Sequence, residues 1–138
     1  MTHTQTQSER MLGVDNILID VLDLDEAVAY YRDGLGLPLK FRMDARGIAL
    51  FSIGNETVGL LVRVVPQTSS GGMRVWLEVA DARAAATVLS GRGLSPLRDP
   101  FETATGWTVE VSDPWGNVVG LTDYTLRPEL GRSGRETS

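Results

Sequence analysis

An internal repeat constrains the fold of this chain more than any other feature of its sequence. Residues 11–65 and residues 73–125 present the same order of signals, which is one alternating strand, one amphipathic helix and three short strands. Residues that correspond in the two stretches keep a constant spacing: Asp20 with Glu78, Val21 with Val79, Asp23 with Asp81, and Ala27 with Ala85. The sequence therefore predicts an α+β fold of two βαβββ modules in a single domain over residues 11–125.

Capping and turn residues set the boundaries of these elements. Asp23 and Asp81 each stand at the N-cap of a helix, and glycines end both helices. The stretch Asp113-Pro114-Trp115-Gly116-Asn117 is typical of a tight turn between two strands, and Gly54-Asn55 repeats part of it in the first module. Strands are predicted over residues 12–22, 38–43, 47–53, 57–64, 73–80, 97–102, 107–112 and 118–124.

Three segments lack a hydrophobic period. Residues 1–10 predict a disordered leader, residues 66–72 have the Pro, Ser and Gly content of a linker, and residues 126–138 predict a flexible tail. The only histidine, His3, lies in the leader, where no scaffold fixes other donors beside it. A metal site at His3 is therefore not expected.

Composition and charge exclude several classes of function. The chain of 138 residues is 42% hydrophobic and 22% charged, which is typical of one globular domain. Its formal net charge is -5, whereas nucleic acids and anionic membranes attract basic surfaces. The chain has no cysteine, and no apolar run is long enough for a membrane span or a signal peptide. We therefore expect a cytoplasmic protein that binds neither nucleic acid nor membrane.

A combination of motifs accompanies the repeat. Asp23-Leu24-Asp25 precedes a helix that carries Ala and Tyr, Gly34-Leu35-Gly36-Leu37 follows that helix, and Asp113-Pro114-Trp115-Gly116-Asn117 lies near the end of the second module. With these motifs the chain resembles the vicinal oxygen chelate superfamily, which includes glyoxalase I, extradiol dioxygenases, fosfomycin-modifying enzymes and bleomycin-resistance proteins. The resemblance covers about residues 12–124 and implies a concave, cup-like mixed sheet. It is informative about fold more than about activity.

The resemblance also implies where a divalent metal would bind. The positions that carry His or Glu in the enzymes of this superfamily fall here on Asn16, Gly59, Arg74 and Gly120, with Leu61 as an alternative to Gly59. None of these residues is a good ligand, and Arg74 would bring a positive charge to the place of the cation. We therefore expect neither a metal nor another cofactor.

Three strand carboxylates leave a different chemistry open. Asp20, Glu78 and Glu110 are the candidates for an atypical metal site or for acid–base catalysis. Strand parity separates Asp20 and Glu78 from the usual ligand positions, and carboxylates near strand ends are mostly solvated or paired with arginine. Outside the leader there is no histidine or cysteine to activate a serine.

The resemblance places a small-molecule site inside the cup. A flat ligand would stack on Trp76, in the volume that Gly59 and Gly120 leave open, and Asp20 or Glu78 would meet a positive charge on it. The side chains expected to line this site are Asn16, Leu18, Asp20, Leu61, Arg63, Arg74, Trp76, Glu78, Trp107, Gly120, Thr122 and Tyr124.

Three functions are compatible with this reading of the sequence. The preferred one is a metal-free homodimer that sequesters an aromatic or drug-like compound such as an antibiotic, as bleomycin-resistance proteins do. The second is an enzyme, either a metal-independent isomerase or lyase that uses one of the carboxylates, or a glyoxalase- or dioxygenase-like enzyme with an atypical metal site. The third is a protein that has kept the fold for interaction or regulation.

Overall fold

Two four-stranded sheets carry the fold, one from each predicted module. The computed structural model describes residue 10, residue 12, residues 14–68 and residues 72–132. The first sheet contains β1 (Asn16–Val21), β2 (Leu39–Met43), β3 (Ile48–Ser52) and β4 (Gly59–Val64). The second contains β5 (Arg74–Glu78), β6 (Phe101–Glu102), β7 (Trp107–Ser112) and β8 (Val118–Thr122).

The strand order is the same in both sheets and confirms the predicted α+β class. In the first sheet it is β1-β4-β3-β2, and in the second it is β5-β8-β7-β6. The first and last strands of each module pair in parallel, whereas the other neighbours are antiparallel. A parallel pair needs a crossover connection, and a helix after the first strand of each module supplies part of it.

The two helices begin at the predicted caps but differ in form. The side chain of Asp23 accepts from the N–H of Glu26 at the start of α1 (Leu24–Val28), and Asp81 accepts from Ala84 at the start of α2 (Ala82–Gly91). After α1 the chain continues as a π-helix over Ala29–Gly34, in which the N–H of Leu35 donates to the carbonyl of Tyr30. An insertion of this kind widens the turn and leaves no simple sequence signal.

A single apolar core joins the modules within one chain. Buried residues of α1, the π-helix and α2 pack on the inward positions of both sheets. Tyr31 of the π-helix, Leu60 of β4 and Leu121 of β8 are members of this core. The Tyr31 hydroxyl also donates to Oδ2 of Asp113 at 2.8 Å, and Nδ2 of Asn117 donates to the carbonyl of Asp20 at 2.9 Å. The predicted Asp-Pro-Trp-Gly-Asn turn therefore connects the second module to the first.

Some boundaries differ from the prediction. The strand β1 begins at Asn16 rather than at residue 12, and β6 has only two residues, preceded by an isolated bridge between Pro96 and Val111. Residues 126–132, predicted as part of a flexible tail, instead form a 3-10 turn at Pro128–Leu130 followed by contacts of Arg132. The predicted leader lies outside the described residues apart from residue 10, and so does the tail beyond residue 132.

Candidate functional site

The sheets have one face that packs against the helices and one that does not. Along β1, β4 and β5 the residues at alternate positions are either in the core or partly exposed, as the pleat of a strand requires. We call the second set the open face. It contains these predicted site residues: Asn16, Leu18, Asp20, Leu61, Arg63, Arg74, Trp76, Glu78, Gly120 and Thr122.

A tryptophan dominates the open face of the second module. Trp76 is 45% exposed, and its Nε1 donates to Oε2 of Glu110 at 2.8 Å. The ring lies directly against Gly120, because a Cβ added at that glycine would be 2.4 Å from Cδ1 of Trp76. The indole therefore packs against Gly120 on β8, where any larger residue would clash with it, and the hydrogen bond to Glu110 fixes the orientation of the ring.

The carboxylate below this tryptophan is a buried anion. Glu110 is only 7% exposed, and Arg74 donates to the same oxygen that accepts from Trp76. Burial alone would raise the pKa of Glu110, but hydrogen bonds from Arg74 and Trp76, with the charges of Arg74 and Arg98, hold its pKa below the usual value. A general acid or base working near neutral pH needs a raised carboxyl pKa, so Glu110 does not suit that role.

An aromatic and an arginine extend the surface beside Trp76. The ring of Phe101 on β6 lies 6.3 Å from that of Trp76, centroid to centroid, at a tilt of 58°. The guanidinium of Arg98 lies 3.9 Å from the centroid of Phe101. Cationic groups are attracted to the face of an aromatic ring, so this contact holds the Arg98 charge close to the aromatic pair.

The residues of the first module that correspond to Trp76, Gly120 and Glu110 are apolar. Strand register aligns Leu18, Leu61 and Leu50 in the first sheet, whereas the second sheet aligns Trp76, Gly120 and Glu110. The module counterpart of Gly120 is therefore Leu61 rather than Gly59, which resolves the alternative left open by the sequence. The open face is thus apolar in one module and aromatic with charges in the other.

The glycines do not leave the expected volume open. A Cβ at Gly59 would lie 2.9 Å from Cδ1 of Leu50, and the space at Gly120 is taken by Trp76. The predicted slot for a flat ligand is therefore filled by side chains of the protein itself. A ligand would lie on top of these side chains and not beneath them.

The positions at which the resemblance places metal ligands do not fit a metal. Oδ1 of Asn16 accepts from the N–H of Gly59 at 3.1 Å, Arg74 pairs with Glu110, and Gly120 is covered by an indole. Within the described residues, no three His, Cys, Asp or Glu side chains are grouped so that they would hold a metal ion. These residues offer a cation neither the donors nor the space it needs.

The other acidic residues of the open face are paired with arginine. Oδ1 of Asp20 accepts from Nε of Arg63 at 2.8 Å, across the parallel strands β1 and β4. Glu78 accepts from both the backbone N–H and Nη1 of Arg132, at 3.0 and 2.6 Å. Arg132 also reaches Glu56 of the first module, so the segment after β8 links the two modules at this end of the open face.

Of the two remaining aromatic residues of the predicted site, one lies on the opposite side of the sheet and one at the end of the open face. Trp107 pairs with Glu102 at a strand position of opposite parity to Thr108, and its ring is covered by Arg83 of α2 at 4.3 Å. The structure therefore places Trp107 on the helix side. Tyr124 follows β8 and lines a cavity of about 370 Å³ together with Glu78 and residues of the 126–132 segment.

A second cavity lies between the modules at the opposite end of the open face. It has a volume of about 270 Å³ and is lined by Leu18, Asp20, Arg63, Thr68, Gly72, Met73, Trp115 and Asn117. The indole of Trp115 therefore contributes to this cavity rather than to the surface around Trp76.

The hydroxyl of Thr122 forms a hydrogen bond within the protein, since it lies 2.7 Å from the hydroxyl of Thr108.

The structure adds two contributors to the site and gives Glu110, a sequence candidate for acid–base catalysis, a different role. Leu50 fills the space at Gly59, Arg98 lies over Phe101, and Glu110 anchors Trp76. The parity of Glu110 on its own strand gives no sign of this, because the side chain meets Trp76 only after β7 and β5 have each paired with β8. The one available signal is that Glu110 lies between Thr108 and Ser112 at the polar positions of the alternating strand β7.

Comparison with known proteins gives a consistent result. The sequence matches the family model of the Glyoxalase/Bleomycin resistance protein/Dioxygenase superfamily over residues 13–121. No protein with a curated description matches it. In the part of the chain that the structure describes, no helix has the length and apolar character needed to cross a membrane.

Several solved structures have the same fold. TnmS3, an antibiotic binding protein from Streptomyces sp. CB03234, has a TM-score of 0.73 at 24% identity, over 83% of this chain and 98% of its own. A glyoxalase/bleomycin resistance protein/dioxygenase from Nocardioides has a TM-score of 0.70 at 19% identity, over 94% and 95%. A glyoxalase/bleomycin resistance protein from Streptomyces sp. CB03234 has a TM-score of 0.66 at 24% identity, over 78% and 96%. These likenesses show the fold alone.

Proposed function

The chain belongs to the Glyoxalase/Bleomycin resistance protein/Dioxygenase superfamily, and within this superfamily we propose that it is a metal-free binding protein. It sequesters a planar aromatic or drug-like compound, such as an antibiotic, on the open face around Trp76. The observation that carries this proposal is that Trp76 is 45% exposed although its indole N–H is anchored to a buried carboxylate. An immobilised aromatic surface that faces solvent is a binding platform prepared before the ligand arrives.

The platform is large enough for a useful affinity. Stacking on an aromatic ring contributes about 0.5–1.5 kcal/mol beyond the area buried, and apolar burial contributes roughly 25 cal/mol per Å². Phe101, whose ring centroid lies 6.3 Å from that of Trp76, provides further apolar surface beside the indole. After the cost of association is subtracted, these contributions are of the order required for micromolar binding.

The comparisons support the same proposal. TnmS3, whose fold this chain shares, is described as an antibiotic binding protein. A metal would find an amide engaged by the backbone at Asn16, a paired guanidinium at Arg74 and an indole over Gly120. A binding protein without a metal agrees with these side chains better than a glyoxalase or dioxygenase does.

We propose further that the protein is a cytoplasmic homodimer. Large apolar side chains such as Leu22 and Val88 are exposed away from Trp76, and a second copy would cover part of that surface. Light scattering at micromolar concentration measures the mass, and a monomer would count against the dimer without affecting the proposed ligand site. Elemental analysis after mild dialysis tests the metal-free state, which one retained equivalent of zinc, nickel, manganese or iron would contradict.

Ligand binding is tested by fluorescence of a protein that keeps one tryptophan. Replacing Trp107 and Trp115 with phenylalanine leaves Trp76 as the only indole, since the chain has three. Polycyclic antibiotics are expected to quench its emission saturably. In calorimetry, Trp76→Ala should weaken binding about tenfold or more, whereas the control Trp107→Ala should leave it unchanged. Linear quenching with every compound, or an unchanged affinity in Trp76→Ala, would refute the proposed site.

A further inference from the structure

The acidic side chains of the open face are all engaged by arginines. Asp20 pairs with Arg63, Glu78 with Arg132, and Glu110 with Arg74. A cationic ligand would have to compete with a guanidinium at each of them. The attraction between a positively charged ligand and Asp20 or Glu78, which the sequence predicts, therefore has no support in this arrangement.

Around Trp76 the balance of charge is positive, and the positive groups face solvent. The side chain of Arg74 is 59% exposed, whereas that of its partner Glu110 is 9% exposed and lies below the indole. Arg98 adds a second guanidinium, held over Phe101, and its charge also acts on Glu110. At the edge of the aromatic platform, the guanidinium of Arg74 thus pairs with the buried carboxylate of Glu110, and the guanidinium of Arg98 acts on the same carboxylate by its charge.

From this geometry we infer that the ligand of the open face is an aromatic anion, in which a carboxylate is attached to a planar ring system. The ring stacks on Trp76, and the carboxylate pairs with Arg98 and with the exposed part of Arg74. Guanidinium groups suit this task because their planar arrangement of donors matches the two oxygens of a carboxylate. The inference rests on the proposed function, because it assumes that an aromatic ligand binds at Trp76.

The net charge of the protein predicts a cationic ligand, whereas the groups around Trp76 predict an anionic one, so the charge of the ligand tests the inference. A chain with a formal net charge of -5 would be expected to attract cations. Charges further away than about 10 Å are largely screened at moderate salt, so the groups next to the ligand decide its preferred sign. These groups are Arg74 and Arg98 above Glu110.

Three naphthalene probes of the same size separate the effect of charge from that of stacking. They are 2-naphthoate, the neutral 2-naphthamide and the cationic 2-naphthylmethylammonium, each titrated into the full-length protein by calorimetry. We expect naphthoate to bind about fivefold tighter than the amide, which is the upper end of the range for exposed charge pairs, and the ammonium to bind weakest. Raising the salt concentration should reduce the advantage of naphthoate and leave the amide unaffected.

Two arginine variants complete the test. Arg98→Gln should bring the affinity of naphthoate to within about twofold of the amide while the amide itself binds as before. Arg32→Gln, on the π-helix and paired with Asp33, is the matched control and should change neither affinity. If all three probes bind with equal affinity, or if the ammonium binds tightest, the inference is wrong and the proposed function stands. If none of them binds at Trp76, the proposed function itself fails.

Discussion

Two neighbouring tyrosines should respond in opposite ways to the loss of a hydroxyl group. Tyr31 is fully buried, and its hydroxyl donates to Oδ2 of Asp113 at 2.8 Å, which joins the first module to the second. The hydroxyl of Tyr30, on the same π-helix, is buried and has no hydrogen-bond partner within the described residues. Burial, reinforced by the charge of Asp113, raises the pKa of both phenols well above its usual value, so both stay protonated.

The expected magnitudes follow from these environments. A hydrogen bond to a charged group contributes about 1.5–3 kcal/mol. The lower end applies to Tyr31, because Oδ2 of Asp113 also accepts from Nδ2 of Asn117 and keeps that partner in the variant. Tyr31→Phe should therefore lower the free energy of unfolding by about 1.5 kcal/mol. Tyr30→Phe removes an unpaired buried hydroxyl and should be neutral or stabilising by up to about 1 kcal/mol.

Urea denaturation followed by circular dichroism measures both variants under identical conditions. The slope of the free energy against urea concentration should stay constant, so that the difference in midpoints reports stability directly. A thermal scan should separate the two variants by roughly 6–10 °C for a difference of about 2 kcal/mol in a domain of this size. If Tyr30→Phe costs as much as Tyr31→Phe, the assignment of the hydrogen bond across the modules is wrong.

Further predictions concern the open face and its response to acid. Gly120→Ala should displace Trp76, which lowers the free energy of unfolding by about 1 kcal/mol and shifts the tryptophan emission to longer wavelength. The control Gly91→Ala should be neutral or slightly stabilising, because its Cβ would meet nothing within 4 Å. An unshifted emission in Gly120→Ala would count against the indole packing. Because the pKa of Glu110 is held below the unfolded value of 4.5, its stabilisation is complete above that value and is lost as the pH falls through the lower folded pKa. Glu110→Gln should therefore be less stable than the wild type at pH 6, and the difference should shrink as the pH falls below 4.5, which urea titrations at several pH values will check.

The fold could be predicted because its signals are local and occur twice. Alternation along strands, Asp23 and Asp81 as helix caps, and the turn at Asp113 each act within a few residues, and the repeat makes each module support the assignment of the other. The π-helix and the turn at Pro128–Leu130 had no such signal. A bond from Leu35 to the fifth residue before it depends on how the tyrosines pack, and the 126–132 segment is fixed by long-range contacts of Arg132.

The site was less accessible to sequence reasoning because it depends on register between distant strands. Parity placed Trp76 and Glu78 on one face, but Trp107 was assigned to the site from its aromatic character, and it lies on the helix side. The charge preference was inferred from the presence of acidic residues. The sequence predicts pairing of these carboxylates with arginine, and Arg63 and Arg74 are such partners. Arg132, the partner of Glu78, lies 54 positions away in a segment that the sequence assigns to a flexible tail.

The contact between Trp76 and Gly120 also bears on how this protein could change its activity during evolution. In the resemblance described above, a metal-binding relative carries Glu at the position of Gly120, so a single substitution would seem to restore that ligand. Here the first atom of any new side chain would already lie 2.4 Å from the indole. Gly120→Glu alone would disrupt the platform before it created a metal ligand, and it becomes tolerable only after Trp76 has been replaced by a smaller residue. The order of the two substitutions therefore matters, because the space for a side chain at position 120 is set by the residue at position 76.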